Sequence, residues 1–200
     1  MQNEIKAPQN IFNEQGELNN PGWARKMYFQ YNPENMKMPR MAAKEWDYYF
    51  IGNEEVGVAV TINDFGPIGM FTASLLKFKE KENMTVTAYG PGNLDQPKDD
   101  EGTCYFRSQN VEAIFIRKAG KHILKVDFKD FYEGKDYHLD LVLTVPETDR
   151  MVILTPFEEN KDYFYFNEKL NCMRASGMVQ VGDYTHTFSP EKDFAVLDLG

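Results

Sequence analysis

Between residues 56 and 63, Val56, Val58, Val60 and Ile62 alternate with Gly57, Ala59, Thr61 and Asn63. Successive side chains of a strand point to opposite faces, so this period of two gives a ribbon with one branched apolar face and one small or polar face. The texture recurs along most of the chain. It predicts further strands over 68–79, 84–89, 111–118, 122–128, 137–145, 151–155, 163–170, 178–181, 184–188 and 194–197. Asn53-Glu54-Glu55, Asn63-Asp64-Phe65-Gly66-Pro67, Ala119-Gly120-Lys121 and Gly182-Asp183 supply the turns. No helical period extends beyond a turn or two, and residues 39–44 have room for one short turn of helix. Short strands joined by turns predict an all-β fold, an antiparallel barrel or strongly curved sheet.

The chain has a different texture before residue 44. It is rich in Asn, Gln and Pro, with turn signals at Asn20-Pro21-Gly22 and Asn32-Pro33. The apolar segment 27–31 is either a first strand or a wrap across the sheet. The expected organisation is an irregular N-terminal wrap over 1–43 and an antiparallel β domain over 44–200. Residues 90–102, rich in Gly, Pro and acids, form the clearest long loop, flexible or functional.

At 200 residues with 42% hydrophobic and 14% aromatic content, the chain can bury a core, which excludes general disorder. A net charge of -9 excludes a phosphate-dominated nucleic-acid binder. No stretch approaches the roughly 18 consecutive apolar residues of a membrane helix, and residues 1–10 lack a signal-peptide core. A cytoplasmic protein without a membrane span is the expectation. Cys104 and Cys172 are read as reduced thiols, with one long-range disulfide as the alternative.

Phosphate loops, dinucleotide fingerprints, nucleophile elbows and helical His pairs are all missing, and neither a metal nor a cofactor is expected. Two groups remain. Lys44-Glu45-Trp46-Asp47-Tyr48-Tyr49-Phe50-Ile51 would set Glu45, Asp47, Tyr49 and Ile51 on one face and Lys44, Trp46, Tyr48 and Phe50 on the other. With Asp64 at the next hairpin end, Glu45 and Asp47 are candidate catalytic carboxylates, since paired carboxylates can split into an acid and a base. The plainer reading gives them salt bridges to Lys44, Arg40 or Arg25, and Asp64 a turn-capping role. In the second group, Tyr163, Tyr165, Asn167 and Lys169 share a face, which suits a polar or anionic ligand group as well as an exposed edge strand.

Pro21-Gly22-Trp23-Ala24-Arg25-Lys26, Lys44-Glu45-Trp46-Asp47-Tyr48-Tyr49, the hairpin end 61–64, Thr155-Pro156-Phe157 and the segment 164–177 together resemble the bacterial domains of unknown function of the DUF2804 family. Val196-Leu197-Asp198-Leu199-Gly200 is similar to that family's approach to a tryptophan- and arginine-rich motif, with Leu199 where tryptophan is expected. The resemblance implies the first half of a longer two-barrel protein and no established activity. More remotely, it implies the lipocalin-like class that includes carotenoid hydratases and stress-survival proteins.

The function expected from these readings is binding of a hydrophobic or amphipathic small molecule. Aromatics of segments 46–50 and 163–166, Trp46, Tyr48, Tyr163 and Tyr165 among them, would line the site, and Arg25, Asn167 or Lys169 would orient a polar head. The alternatives are a hydratase- or isomerase-like acid–base enzyme using Glu45, Asp47 and Asp64, and a structural half-domain that docks to a second β half or to its own copy.

Overall fold

The computed structural model describes residues 3–200, and almost every alternating segment in it is a strand. The wrap carries three short strands, β1 (Gln9–Asn10), β2 (Gly22–Ala24) and β3 (Phe29–Gln30). Two single-turn 3-10 helices follow, Pro33–Asn35 and Arg40–Ala42. Then come β4 (Glu45–Gly52), β5 (Val56–Asp64), β6 (Ile68–Lys77) and β7 (Glu82–Pro91). A second run of hairpins gives β8 (Gly102–Arg107), β9 (Val111–Lys118), β10 (Lys121–Tyr132) and β11 (Lys135–Thr144). The remainder is β12 (Met151–Pro156), β13 (Phe164–Val181), β14 (Tyr184–Phe188) and β15 (Phe194–Leu199).

Ten strands pair in the order β7-β6-β5-β4-β15-β13-β11-β10-β9-β8. Every pairing along this path is antiparallel. Its two ends come together: a Cβ on Gly90 of β7 would lie 3.0 Å from the Arg107 carbonyl oxygen of β8. The sheet is thus curled into a nearly closed barrel, which leaves little unpaired edge. The fold is all-β, an antiparallel barrel-like sheet, as the alternation predicts.

The inward face is the one the pattern selects. Tyr49, Ile51, Val58, Val60 and Ile62 are fully buried, as are Phe71, Phe106, Leu124 and Leu141. Burying such residues stabilises the barrel by about 25 cal/mol for each Å² of apolar surface removed from water.

Strand β13 organises the sheet. One of its edges pairs with β12 and then β11, and the other with β15 and then β14. The sequence predicted two separate strands here, 163–170 and 178–181. The chain instead runs through, absorbing an irregularity between Leu170 and Met173, where Cys172 takes a positive φ of 62°. Gly177 keeps the run intact at φ +125°, where a Cβ would meet the Asp140 carbonyl oxygen at 2.1 Å. Strand β8 was also absent from the sequence reading, because it follows directly on the loop that masks it. Both cysteines are free, Cys104 buried and Cys172 exposed.

Candidate functional site

One end of the barrel interior is polar. Asp47 points inward from β4 with no exposure and sits between two cations, with Lys98 Nζ at 3.1 Å and Arg117 NH1 at 2.6 Å. Charges removed from water need close partners, and Asp47 has two. Burial works against the Arg117 charge, yet Asp47 and Tyr49 beside it leave its pKa raised. Tyr49 hydroxyl lies 3.0 Å from His122 Nδ1. Burial, reinforced by the charges of Arg117 and Arg150, lowers the His122 pKa to about 4, so this imidazole is neutral at pH 7. Glu168 accepts a hydrogen bond from Arg150 NH1 at 2.9 Å, while burial raises its pKa.

The loop between β7 and β8 closes this end. It folds inward, with Gln96 and Lys98 each 2% exposed. Gln96 donates to the Ile62 carbonyl at 3.1 Å, and Arg117 donates to the carbonyls of Pro97 and Asp99. Asp64 accepts from the amides of Gly66 at 2.9 Å, Asn93 at 3.2 Å and Leu94 at 2.6 Å. It holds the β5–β6 turn and the root of the loop with one carboxylate.

Glu45 differs from the other two candidate carboxylates. It is 6% exposed and accepts the Tyr31 hydroxyl proton at 2.5 Å on Oε1, while Oε2 is buried without a hydrogen-bond partner. Burial and the adjacent Glu45 raise the Tyr31 pKa, so the phenol stays protonated as the donor. Glu45 lines a cavity of about 440 Å³. Tyr31, Met38 and Ala42 of the wrap cover one side and Lys98 of the loop another. The aromatic wall is Trp46 from β4 with Phe157, Tyr163, Phe164, Tyr165 and Phe166 around the β12–β13 turn. The Trp46 and Tyr165 rings lie 6.2 Å apart.

The outer face beside this cavity is organised by Asp198 of β15. It accepts from Trp46 Nε1 at 3.0 Å and Asn167 Nδ2 at 2.7 Å, and pairs with Lys169. Burial alone would raise its pKa, but these three partners hold it low. Tyr48 is the register partner of Asp198 across the β4–β15 ladder. Of the residues singled out from the sequence, Trp46, Tyr163 and Tyr165 therefore reach the cavity wall, and Asn167 and Lys169 are committed to Asp198. Arg25 is placed apart, bonded to Glu4 at 3.2 Å and Asp149 at 2.8 Å. Neither Arg25, Arg40 nor Lys44 is the partner of Asp47. Strand alternation put Asp47 on one face with Glu45, Tyr49 and Ile51 without telling which face turns inward, and Lys98 and Arg117 lie 51 and 70 residues away in the chain, where no local spacing signals them. Tyr31 and Asp198 were likewise invisible to local pattern. Among the described residues, no group of three or more His, Cys, Asp or Glu side chains is placed to hold a metal ion, and no helix is long and apolar enough to cross a membrane.

The chain belongs to the family described as domain of unknown function DUF2804, whose profile matches residues 2–200. No curated protein sequence matches it significantly. Among solved structures it is similar to a protein of Nitrosomonas europaea provisionally named AttH, with 13% identity and a TM-score of 0.56 over 84% of this chain and 53% of that one. It is also similar to kievitone hydratase of Nectria haematococca, with 12% identity and a TM-score of 0.46 over 82% of this chain and 49% of that one. The chain thus spans about half the length of both structures. At 13% identity the likeness to the Nitrosomonas protein is one of fold.

Proposed function

We propose that this DUF2804 chain binds an amphipathic small molecule in the cavity beside Glu45. The observation that carries the reading is an aromatic-walled cavity of about 440 Å³ with the buried Glu45 among its lining residues. Binding sites for small molecules are mostly apolar hollows of about 300–1,000 Å³ with a few placed polar groups. A volume of about 440 Å³ walled by Trp46, Tyr163, Phe164 and Tyr165 meets that description. The cavity lies between the wrap, the start of β4, the β7–β8 loop and the β12–β13 turn. The sequence pattern assigned Asn167 and Lys169 to the polar head; their bonds to Asp198 favour Glu45 in that role instead.

The test is titration of the protein with an environment-sensitive hydrophobic fluorophore. Saturable binding that Trp46→Ala weakens is expected; unsaturable or absent binding overturns the reading.

A second reading follows from the same carboxylate. Asp47 and Asp64 have their oxygens committed to ion pairs and backbone amides. Glu45 alone of the three keeps an oxygen without a partner, beside a neutral tyrosine hydroxyl. Among the three it is the carboxyl group with proton-accepting capacity to spare. Turnover of a bound compound that Glu45→Gln abolishes without weakening binding would support this reading over simple binding.

A further inference from the structure

We infer that the outer wall formed by β4, β5, β6 and β7 is where two copies of this chain meet, face to face about a two-fold axis. The inference is independent of the cavity reading. Along these strands the inward positions, Tyr49, Ile51, Val60 and Phe71 among them, are fully buried, so the alternate ones point outward. Taken at every second residue, the outward positions run from Trp46 to Gly52, Gly57 to Asn63, Met70 to Leu76 and Asn83 to Tyr89. None of them is charged, in a chain with 26% charged residues. The opposite wall shows what contact with water selects. There β9, β10 and β11 turn Glu112, Lys118, Lys121, Lys125, Asp127 and Asp140 outward. Beside the neutral wall, charges resume only at its borders, in the Glu55–Lys79 pair at the hairpin ends and in Asp198, which Lys169 neutralises.

Depletion of charge with enrichment in aromatics and Met is the composition of an interface core between proteins. Trp46, Tyr48, Phe50, Met70 and Tyr89 supply the enrichment, and Tyr89 is 68% exposed. Part of the wall's polar complement is already paired within it, which lowers the cost of removing water. Thr72 and Thr87 hydroxyls lie 3.0 Å apart, and those of Thr85 and Ser74 2.9 Å apart. Charge selects a second copy as the occupant. A charged partner surface would lose its water here and find no counter-charge, so the facing surface must be neutral too. This wall meets that requirement against itself, and two-fold pairing is the commonest way for a surface to do so. Each copy carries a net charge of -9, and contact through the neutral walls keeps those charges apart. The extent is sufficient. With strands about 4.8 Å apart and a rise of about 3.4 Å per residue, the wall and the adjoining β15 cover about 600 Å² per copy. A pair therefore buries about 1,200 Å², just above the roughly 1,000 Å² that marks a specific contact.

Sedimentation equilibrium of the chain from about 1 to about 500 µM tests this, a range that brackets the weak dimers of small interfaces. A monomer–dimer equilibrium is expected, and it should tighten as salt rises, because screening reduces the repulsion between two acidic copies. Thr72 lies near the centre of the wall, where a two-fold axis brings it close to its own counterpart. Thr72→Lys should weaken the dimer at least about tenfold, and so should Thr61→Lys. Thr144→Lys, on the outer face of β11, should leave it unchanged. Thr72→Lys and Thr72→Glu each repel their own kind, so mixing the two should restore pairing. Circular dichroism matching the parent establishes that each variant has folded. A monomer at every concentration overturns the inference. So does a dimer that salt dissociates or that both lysine variants leave intact, since it would use another surface. Retardation of a monomer on a dextran column, lost in Thr72→Lys, would assign the wall to a neutral polysaccharide and overturn it as well.

Discussion

Asp47 and Arg117 meet at 2.6 Å inside the barrel, each side chain no more than 2% exposed, and Lys98 completes the cluster from the loop above. Removing one partner of a buried pair leaves the other charge without compensation. Asp47→Asn keeps the shape and leaves two buried cations with no anion between them. It should lower stability by about 3–5 kcal/mol. Urea denaturation measures this; a loss below about 1 kcal/mol would mean that the cluster is hydrated in solution.

Lys98 bears on the loop more than on the barrel. Lys98→Ala removes the ammonium that ties the loop to Asp47 and Trp46, a charged hydrogen bond worth about 1.5–3 kcal/mol. The β strands keep their ladders, so the expected effect is local opening. Limited proteolysis within residues 92–101 should quicken by at least about tenfold while the rest of the chain resists. An unchanged cleavage rate would place the anchor of the loop elsewhere, at Gln96 or Asp64.

His122 sets a pH dependence. Its pKa falls from an ordinary value of about 6.5 in the unfolded chain to about 4 in the barrel, through burial and then the charges of Arg117 and Arg150. The unfolded chain therefore binds the extra proton first, and stability falls as pH drops from about 6.5 to about 4. The full span is worth about 3 kcal/mol, from about 1.4 kcal/mol per unit of pKa. Glu168, whose pKa burial raises, works in the opposite sense, so the comparison with His122→Gln isolates the histidine. The variant should show a flatter stability curve across this window. Parallel curves would assign the acid sensitivity to another group.

Gly177 is a place where β13 leaves no room for a side chain against β11. Alanine there would need to occupy space 2.1 Å from the Asp140 carbonyl oxygen, at a φ of +125° that side chains rarely adopt. Gly177→Ala should cost about 3 kcal/mol, the upper end of an overpacking penalty. Thermal unfolding reads it directly, with Gly120→Ala as a comparison in which only the positive φ of 73° acts, since open space surrounds its Cβ. Equal losses in the two variants would show that close approach is not what Gly177 provides.

The alternation of Val56 to Asn63 and its repeats announced an all-β fold because burial on one face imposes a period of two on every strand. It also put Glu45, Asp47, Tyr49 and Ile51 together on one face of β4, and the structure turns that face inward. The limits of that reading are equally physical. A bulge such as the one at Cys172 interrupts the period without ending the strand, so β13 looked like two pieces. The partners of Asp47 come from a loop and a distant strand, and only barrel closure joins them. The cavity is the hardest part to read, since Tyr31, Glu45, Lys98 and Tyr163 share no local pattern and meet through the wrap, the loop and two turns.

The seat of β15 between β4 and β13 has a consequence for the order of events in the cell. The strand that bridges the two hairpin runs follows both of them in the chain, and it pairs residue 47 with residue 199. Until it emerges, the edge of β4 beside Tyr49 and Ile51 has no ladder partner, and the two runs of hairpins are separate curved ribbons with apolar inner faces. Barrel assembly is therefore a late step dominated by distant pairings, which slows folding and lengthens the time those faces are open to aggregation. A nascent chain stalled before residue 194 should be held by chaperones, and emergence of β15 should discharge it.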